Sequence, residues 1–359
     1  MCRTARLLNL NRYYLGLIKL IPTYRLKRII GHFRITHYVL LFLLVCGVVH
    51  TRPFSLCSWY IDSRNYFKPV MSQSDEQYFL HLLRVFQKAA ETNNVTYLMI
   101  SGSAIGARRH HGMIPWDDDI DILVNHEHRE TLDQALSQLT PQFELHKRVF
   151  PFIFQQQWNW KFCFATKGRT YLLNAFRWPY LDIFFYADNS THLLSVEKVE
   201  VLAKVDVFPL KRVPFGPIIS GSFNIDKLLW IPSPCRIRFE SAANICKSRS
   251  FSHIMEFPIF SFFQRTVSCS LLKNDYPFAY IVQEKTADPH YRNFDRKGLS
   301  VEFQELRLGQ RTFYRLGLEQ PLCDGHPKGS PGRFQLTRVV NGNASIVHEF
   351  FASGFKLFW

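Results

Sequence analysis

Residues 112–124 read GMIPWDDDIDILV and place four aspartates among five positions, directly after a Pro-Trp pair. From Asp119 onward, charged and aliphatic residues alternate, which predicts a β-strand. On a strand, Asp119 and Asp121 lie on one face while Ile120 and Ile122 enter the core. The two carboxylates would stand about 7 Å apart and repel by on the order of 2–3 kcal/mol at an effective dielectric constant of about 20. A bound cation would remove that repulsion.

A third carboxylate is expected from a strand farther along the chain. The run YLDIFFY at 180–186 is strongly β-prone, and Asp182 is the only acidic residue between Glu144 and Asp188. An unpaired charge in such a strand would be costly. Hard oxygen ligands select Mg²⁺, Mn²⁺ or Ca²⁺. The sequence therefore predicts that Asp182 joins Asp119 and Asp121 in a metal site for a phosphate-bearing substrate.

The segment before the aspartates predicts a helix, a strand, a Gly-Ser turn and a short helix. Ser74 and Gln77 have the spacing of a capping box, and the apolar face of this first helix consists of Phe79, Leu82, Leu83, Phe86 and Ala90. VTYLMIS at 95–101 predicts a buried strand. Ser103 is expected to start the second helix, which stops at Gly112.

The Gly102-Ser103 turn predicts a phosphate contact. Backbone N–H groups at a helix N-terminus bind phosphate oxygens. Arg109, near the end of the short helix, could reach the same phosphates.

Residues 100–124 resemble the signature of a known family. ISGSAIGARRHHGMIPWDDDIDILV at 100–124 is similar to the signature of the LicD/fukutin family, which runs approximately G-[ST]-x-x-G-x-x-R-x-x-G-x-I-P-W-D-D-D-I-D. WPYLDIFFY at 178–186 and FPLKRVPFG at 208–216 resemble two later blocks of the family. The resemblance covers about residues 76–216, whereas the chain after Gly216 is only loosely similar. It implies an α+β, nucleotidyltransferase-like fold, with a mixed sheet flanked by helices.

The resemblance also implies an activity of the LicD-type, fukutin-related kind. Such a phosphotransferase would move a phospho-alcohol, such as phosphocholine or ribitol phosphate, from a CDP-activated donor to a glycan of a glycoprotein or glycolipid, with Mg²⁺ or Mn²⁺. Carried over by position, the catalytic metal ligands are Asp119, Asp121 and Asp182, and the donor-phosphate contacts are Gly102, Ser103 and Arg109. Asp117 and Asp118 are expected to support the loop. A nucleotidyltransferase and an inactive lumenal protein of the same fold are the alternatives.

The N-terminus predicts a membrane anchor. Eight basic residues and no acidic ones lie within residues 1–34, leaving +7 of the formal charge of +15 for the rest of the chain. The uncharged stretch 35–51 is long enough, at the short end, to span a bilayer. The positive-inside rule then predicts a type II protein of the Golgi or endoplasmic reticulum. A mitochondrial presequence is the alternative. Nucleic-acid binding is disfavoured because the basic residues cluster before the anchor.

The expected organisation is a cytosolic tail (1–34), an anchor (35–51), a stem (52–73), a catalytic domain (74–235) and a C-terminal region of uncertain structure (236–359). Sequons at Asn94, Asn189 and Asn343 agree with a lumenal location. Six cysteines after the anchor could form disulfides there, namely Cys57, Cys163, Cys235, Cys246, Cys269 and Cys323. No CxxC pair is present, so the sequence does not indicate a zinc site built from paired thiolates.

Overall fold

The computed structural model describes residues 63–147, 159–170, 176–195, 200–219, 225–236, 244–255, 257–259, 264–282, 299–321, 333–340, 343–351 and 356–357, with residues 221, 223 and 323. All of them belong to one compact unit, Ser63–Trp359. No helix within these residues is both long enough and apolar enough to cross a membrane. The predicted tail and anchor lie outside the described residues, as does the predicted stem up to residue 62.

The described residues contain four α-helices, in chain order α1 Gln73–Thr92, α2 Ser101–His110, α3 Arg129–Ser137 and α4 Lys204–Val207. Short 3-10 turns cover Ser63–Phe67, His126–His128, Ile225–Lys227 and Cys269–Leu272. The strands that build the first part of the fold are β1 Tyr97–Met99, β2 Ile120–Asn125, β3 Phe143–His146, β4 Trp160–Phe164, β5 Arg169–Thr170, β6 Arg177–Trp178, β7 Tyr180–Asp188, β8 His192–Ser195, β9 Glu200–Ala203, β10 Lys211–Phe215 and β11 Leu229–Ser233. The later strands are β12 Ile245–Lys247, β13 Phe251–Ser252, β14 Phe257–Pro258, β15 Thr266–Ser268, β16 Phe278–Val282, β17 Leu299–Leu308, β18 Arg311–Pro321, β19 Arg333–Val340, β20 Asn343–Phe351 and β21 Lys356–Leu357.

The central sheet is mixed, as the α+β prediction requires. Strand β2 runs antiparallel to β1 and parallel to β7. The long strand β7 pairs along its other edge with β4 in its first half and with β8 near its end. Strand β3 extends the sheet beyond β4, while β9 and β21 extend it beyond β8. Strands β2 and β7 are therefore central in the sheet, and they carry Asp121 and Asp182.

Helix α1 covers one face of this sheet. Its predicted apolar face is confirmed, because Phe79, Leu82, Leu83, Phe86 and Ala90 are all fully buried. The predicted start at Ser74 is wrong by one residue. The hydroxyl of Ser72 accepts from the Asp75 backbone N–H, and the Asp75 carboxylate accepts from the Ser72 backbone N–H at 2.9 Å. This reciprocal cap satisfies two helix-end donors, so the helix begins at Gln73.

Helix α2 begins at Ser101, two residues before its predicted start. Ile100 is the N-cap and supplies no side-chain cap. The Ser103 hydroxyl accepts a hydrogen bond from the Asp121 backbone N–H at 2.8 Å, so it is not available as a cap. The helix ends at His110, before the predicted Gly112, because His111 adopts a left-handed conformation with φ of 56°.

His111 joins the end of α2 to the three-stranded sheet β16–β17–β18. Its Nδ1 lies 3.1 Å from the Tyr314 hydroxyl, and its Nε2 lies 2.7 Å from Oε1 of Gln304. Nε2–H therefore donates to the Gln304 amide oxygen, and the ring stacks on Tyr314. Burial lowers the pKa of His111 to about 4, although the Gln304 contact opposes this shift.

We expect the contribution of His111 to the stability of the protein to fall as the pH drops from 6.5 toward 4. The neutral imidazole is favoured in the folded state, so the unfolded chain binds more protons in this window and the contribution of His111 is lost on acidification. The expected loss is about 1 kcal/mol between pH 6.5 and 5.5. Denaturant unfolding at each pH measures it. His111→Asn tolerates the left-handed backbone and does not titrate, and it should show a shallower slope; an unchanged slope would contradict the assignment.

The described cysteines form two disulfides, Cys235–Cys323 and Cys246–Cys269, with Cα–Cα distances of 5.7 and 5.0 Å. The expectation that Cys163 also forms a disulfide is wrong. Cys163 is buried and unbridged on β4, where its cross-strand neighbours are Glu144 and Tyr180. Cys57 lies outside the described residues.

Candidate metal and phosphate site

The structure brings the three predicted aspartates together. In the parallel pairing of β2 and β7, Asp121 stands directly opposite Asp182, and Asp119 precedes β2 on the same face. One carboxylate oxygen from each of the three lies within 4.8 Å of the other two. Asp121 and Asp182 are 6% and 3% exposed, and the Asp119 side chain is 10% exposed. This grouping is called the aspartate cluster below.

The aspartate cluster carries more negative charge than its buried surroundings favour. Burial raises the pKa of Asp119 well above its ordinary value, and Asp117, Asp121 and Asp182 add to the shift, while His253 opposes it. Burial likewise raises the pKa of Asp117 to about 6, with further contributions from Asp118 and Asp121. A proton here relieves the same repulsion that a divalent cation would relieve. Three converging carboxylates also match the oxygen ligands that Mg²⁺ and Mn²⁺ prefer.

Two polar side chains that sequence reasoning missed bind Asp182. Asn159 Nδ2 and Lys161 Nζ both donate to Asp182 Oδ1, at 2.7 and 2.8 Å. Lys161 is 2% exposed, and its ammonium lies 3.8 Å from the centre of the Tyr180 ring. The signal was present in the sequence, because WKFCF on β4 places one lysine in an otherwise apolar strand. A buried lysine requires a carboxylate partner, and the pairing of β4 with β7 sets Lys161 opposite Asp182.

The first turn of α2 lies against the aspartates. Ser103 holds the Asp121 backbone, as described above, and Gly102 lies against Asp117. A Cβ at residue 102 would stand 2.6 Å from Asp117 Oδ2, so glycine permits the close approach. The first N–H groups of a helix have no carbonyl partner within it. Gly102 and Ser103 therefore occupy the positions from which backbone N–H groups can bind an anion.

Arg109 is held at the other end of α2 by aromatic and imidazole contacts. Its Nε–H donates to His110 Nε2 at 3.1 Å, and His110 Nδ1 contacts the Pro277 carbonyl at 2.6 Å. The His110 ring is thus neutral, with Nδ1–H as donor. The guanidinium carbon lies 5.7 Å from the centre of a Trp116 ring. Burial lowers the pKa of Arg109 to about 10, while Asp117 favours its charged form.

A segment from the C-terminal region packs on the aspartate run. Residues 244–255 are called the C-terminal strap. Arg249 forms an ion pair with Asp118, and the backbone N–H groups of His253 and Ile254 donate to Asp118 Oδ2 at 3.1 and 3.3 Å. Burial alone would raise the pKa of Asp118, but the hydrogen bond from His253 and the charges of His253 and Arg249 hold it below its ordinary value. Asp118 therefore ties the loop to the strap, in line with its expected supporting role.

The strap also reaches the aspartate cluster. His253 Nδ1 lies 3.2 Å from Asp118, and its Nε2 lies 3.4 Å from Asp119 Oδ2. Burial alone would lower the pKa of His253, but Asp119 and Asp118 raise it to about 10. The imidazolium thus offsets part of the charge of the cluster. Trp116 Nε1 donates to the Lys247 carbonyl at 2.9 Å, which fixes the start of the strap.

Part of the chain matches a known family model and three known proteins. Residues 94–219 match the family model described as LicD/FKTN/FKRP, nucleotidyltransferase domain. The chain is 31% identical over 138 residues to an uncharacterized protein of Rickettsia typhi, covering 37% of this chain and 38% of that protein. It is 36% identical over 78 residues to the lipopolysaccharide cholinephosphotransferase LicD of Haemophilus influenzae, covering 17% of this chain and 29% of that protein. An uncharacterized protein of Rickettsia prowazekii is 50% identical over 52 residues, which are 14% of this chain and 18% of that protein.

The chain thus aligns with less than two fifths of the length of each of these relatives. The matched span 94–219 contains all six predicted site residues, and the structure sets β2 and β7, which carry the aspartates, side by side. The C-terminal strap lies beyond the matched span. Residues 94–219 therefore match a LicD/FKTN/FKRP nucleotidyltransferase domain, and over this span the chain is similar to the LicD/fukutin family.

Proposed function

We propose that the protein is a transferase that moves a phospho-alcohol group from a CDP-activated donor to a glycan of a glycoprotein or glycolipid, with Mg²⁺ or Mn²⁺ as cofactor. The observation that carries the proposal is the aspartate cluster, in which three buried carboxylates converge beside a helix N-terminus. The family match and the likeness to a cholinephosphotransferase support the reaction class.

Asp119, Asp121 and Asp182 would hold the cation. When bound, it would neutralise charge on the donor pyrophosphate and align the attacking and leaving oxygens. The N–H groups of Gly102 and Ser103 would bind the donor phosphates, with Arg109 adding a planar pair of donors. The chain's own contribution is then mostly positioning and electrostatic stabilisation.

Asp182 is the carboxylate that we assign to the acceptor proton. Asn159 and Lys161 both bind Oδ1, so Oδ2 is the oxygen proposed to accept the proton from the glycan hydroxyl. Lys161 keeps Oδ1 fixed during this transfer. Asp182→Asn is then expected to retain more donor binding than Asp119→Asn while losing transfer.

The experiment supplies CDP-, UDP- and GDP-activated donors to the purified protein with Mn²⁺ and identifies the released nucleotide. The proposal requires CMP and a phosphodiester on the glycan. Release of the phospho-alcohol with a nucleotidylated acceptor would establish a nucleotidyltransferase. No turnover with any donor, in protein that still binds CDP with Mn²⁺, would support an inactive protein of the same fold.

We expect Arg109→Lys to weaken donor binding by about tenfold or more, because a point charge replaces a bidentate fork. Lysine also has no equivalent of the Nε–H that donates to His110. Calorimetric titration of CDP in the presence of Mn²⁺ measures the change. Arg84→Lys, on the outer part of α1, is the matched control. Equal affinities of the Arg109 variant and the wild type would remove Arg109 from the donor site.

We also propose a type II topology, with the N-terminus in the cytosol and the domain in the lumen of the Golgi or endoplasmic reticulum. Of the two sequons whose side chains the structure describes, Asn94 is better placed to accept a glycan, because it is exposed directly after α1. Asn189 is half-buried, and its Oδ1 accepts from the backbone N–H groups of Thr191 and His192.

We therefore expect endoglycosidase treatment to increase the gel mobility of the protein, and Asn94→Gly to make this change smaller. Glycine keeps the left-handed backbone at this position, where φ is 53°, so the variant should fold normally. Gel mobility of the protein from cells, before and after treatment, is the measurement. An unglycosylated protein that imports into mitochondria would overturn the topology.

A further inference from the structure

A second group of potential metal ligands lies on the same face of the sheet, away from the aspartates. In the antiparallel pairing of β3 and β4, Glu144 stands opposite Cys163, and His146 follows Glu144 on the same face. One ligand atom from each of these three residues lies within 4.8 Å of the other two. A thiol, an imidazole and a carboxylate thus converge on one point between two strands.

This donor set differs in kind from the aspartate cluster. Sulfur and imidazole nitrogen are ligands that zinc prefers, whereas Mg²⁺ prefers oxygen alone. Tetrahedral zinc with ligands at about 2.0–2.3 Å places its ligand atoms roughly 3.3–3.8 Å apart. The three atoms therefore need only small movements to bind a common ion. Glu144 Oε2 and His146 Nε2 already stand 3.0 Å apart.

Cys163 is set apart from the other described cysteines. Four of them form disulfides, whereas Cys163 is fully buried with a free thiol. Burial raises the pKa of this thiol to about 11, and Glu144 adds to the shift, so the sulfur keeps its proton when no cation is present. Binding a divalent cation would replace that proton and release it to solvent.

A cation can reach this group of ligands past His146 and Glu144. The side chains of His146 and Glu144 are 21% and 43% exposed, so an ion can enter from their side and retain a water as its fourth ligand. Lys161 stands opposite both His146 on β3 and Asp182 on β7. Its ammonium binds Asp182, so Lys161 separates the two groups of ligands along one row of the sheet.

We propose that Glu144, His146 and Cys163 form a binding site for one zinc-class divalent cation, distinct from the aspartate cluster. The bound ion would tie β3 to β4 at the edge of the sheet. The site does not depend on the proposed transferase activity.

The test uses the full-length protein, stripped with a chelator under reducing conditions and titrated with Co²⁺ and then with Zn²⁺. One equivalent of Co²⁺ should produce a thiolate-to-cobalt charge-transfer band, which an oxygen-only site cannot produce, and Zn²⁺ should abolish it. Cys163→Ser should lose the band. His146→Gln should weaken binding by at least about tenfold, whereas His128→Gln, outside the cluster, should not.

Asp121→Asn separates this site from the aspartate cluster, because it should leave the band intact. Circular dichroism checks that each variant is folded. If Cys163→Ser does not fold, the partly exposed His146 provides the decisive variant. The proposal is overturned if the wild type shows no charge-transfer band, if the band persists in folded Cys163→Ser, or if His146→Gln binds Co²⁺ as tightly as the wild type.

Discussion

Replacing Asp121 with asparagine is expected to reduce transfer by at least about 100-fold, because losing even a group that only supports a metal ligand costs 10–100-fold in metal affinity. Asp121 is nearly fully buried and lies in register with Asp182, so no other described carboxylate can take its place without a change in strand pairing. Calorimetric titration of CDP with and without Mn²⁺ should show that the metal-dependent part of donor binding has disappeared.

The matched control is Asp275→Asn, which removes the same charge from an exposed turn. Asp117→Asn should have a smaller effect than Asp121→Asn, because Asp117 precedes the strand and lies beside Gly102 and Arg109. Equal losses at Asp117 and Asp121 would mean that the cation site is centred on the loop rather than on the strands.

Replacing Lys161 with methionine is expected to destabilise the protein by about 3–5 kcal/mol, because removing one partner of a buried ion pair leaves an uncompensated charge. Methionine has a similar length and can fill the space beside the Tyr180 ring, so the change isolates the charge. The apparent melting temperature should fall by roughly 10 °C in metal-free buffer. Mn²⁺ should restore more stability to this variant than to the wild type.

Lys147→Met is the control, because Lys147 forms a partly exposed ion pair with Asp133. Such pairs contribute at most about 1 kcal/mol. The double variant Lys161→Met with Asp182→Asn should regain part of the lost stability, since it removes both charges. Similar melting temperatures for Lys161→Met and Lys147→Met would show that the ion pair between Lys161 and Asp182 is not required for stability.

The aspartate cluster could be predicted because its signals are local. The alternation of charged and aliphatic residues predicted that Asp119 and Asp121 lie on one face of a strand. Asp182 was identified because it is the single charged residue in a β-prone run. That β2 and β7 are neighbours could not be read from these patterns, because strand order depends on packing across the whole sheet. The cost of an unpaired charge suggested that Asp182 joins the other two, the family resemblance supported it, and the parallel pairing of Asp121 with Asp182 agrees with it.

The helix starts were harder to predict, because several serines compete as caps. Ser72 with Asp75 and Ser74 with Gln77 have the same spacing. Arg169 forms an ion pair with Asp75 at 2.5 Å, a contact 94 positions away that helps to hold Asp75 beside Ser72. The spacing of residues in the sequence does not reveal this contact. It therefore could not show which of the two serines is the N-cap.

The strap could not have been found from the sequence. Arg249 and His253 follow Asp118 by 131 and 135 positions, and nothing in RSFSH at 249–253 resembles a motif. Lys161 could have been identified in part, because a single lysine in an apolar strand indicates a buried charge that requires a carboxylate partner. Long-range partners of a charged loop are selected by the tertiary fold, where burial makes each unpaired carboxylate expensive.

The position of the strap affects how substitutions in this protein should be interpreted. A substitution at Arg249 or Cys246 would be counted as distant from the signature, since both residues lie outside the matched span 94–219. Arg249 holds Asp118, and the Cys246–Cys269 disulfide packs in the same apolar cluster as Trp116. Changes at either residue would therefore act on the aspartate run itself, and a mutational screen restricted to the signature would overlook them.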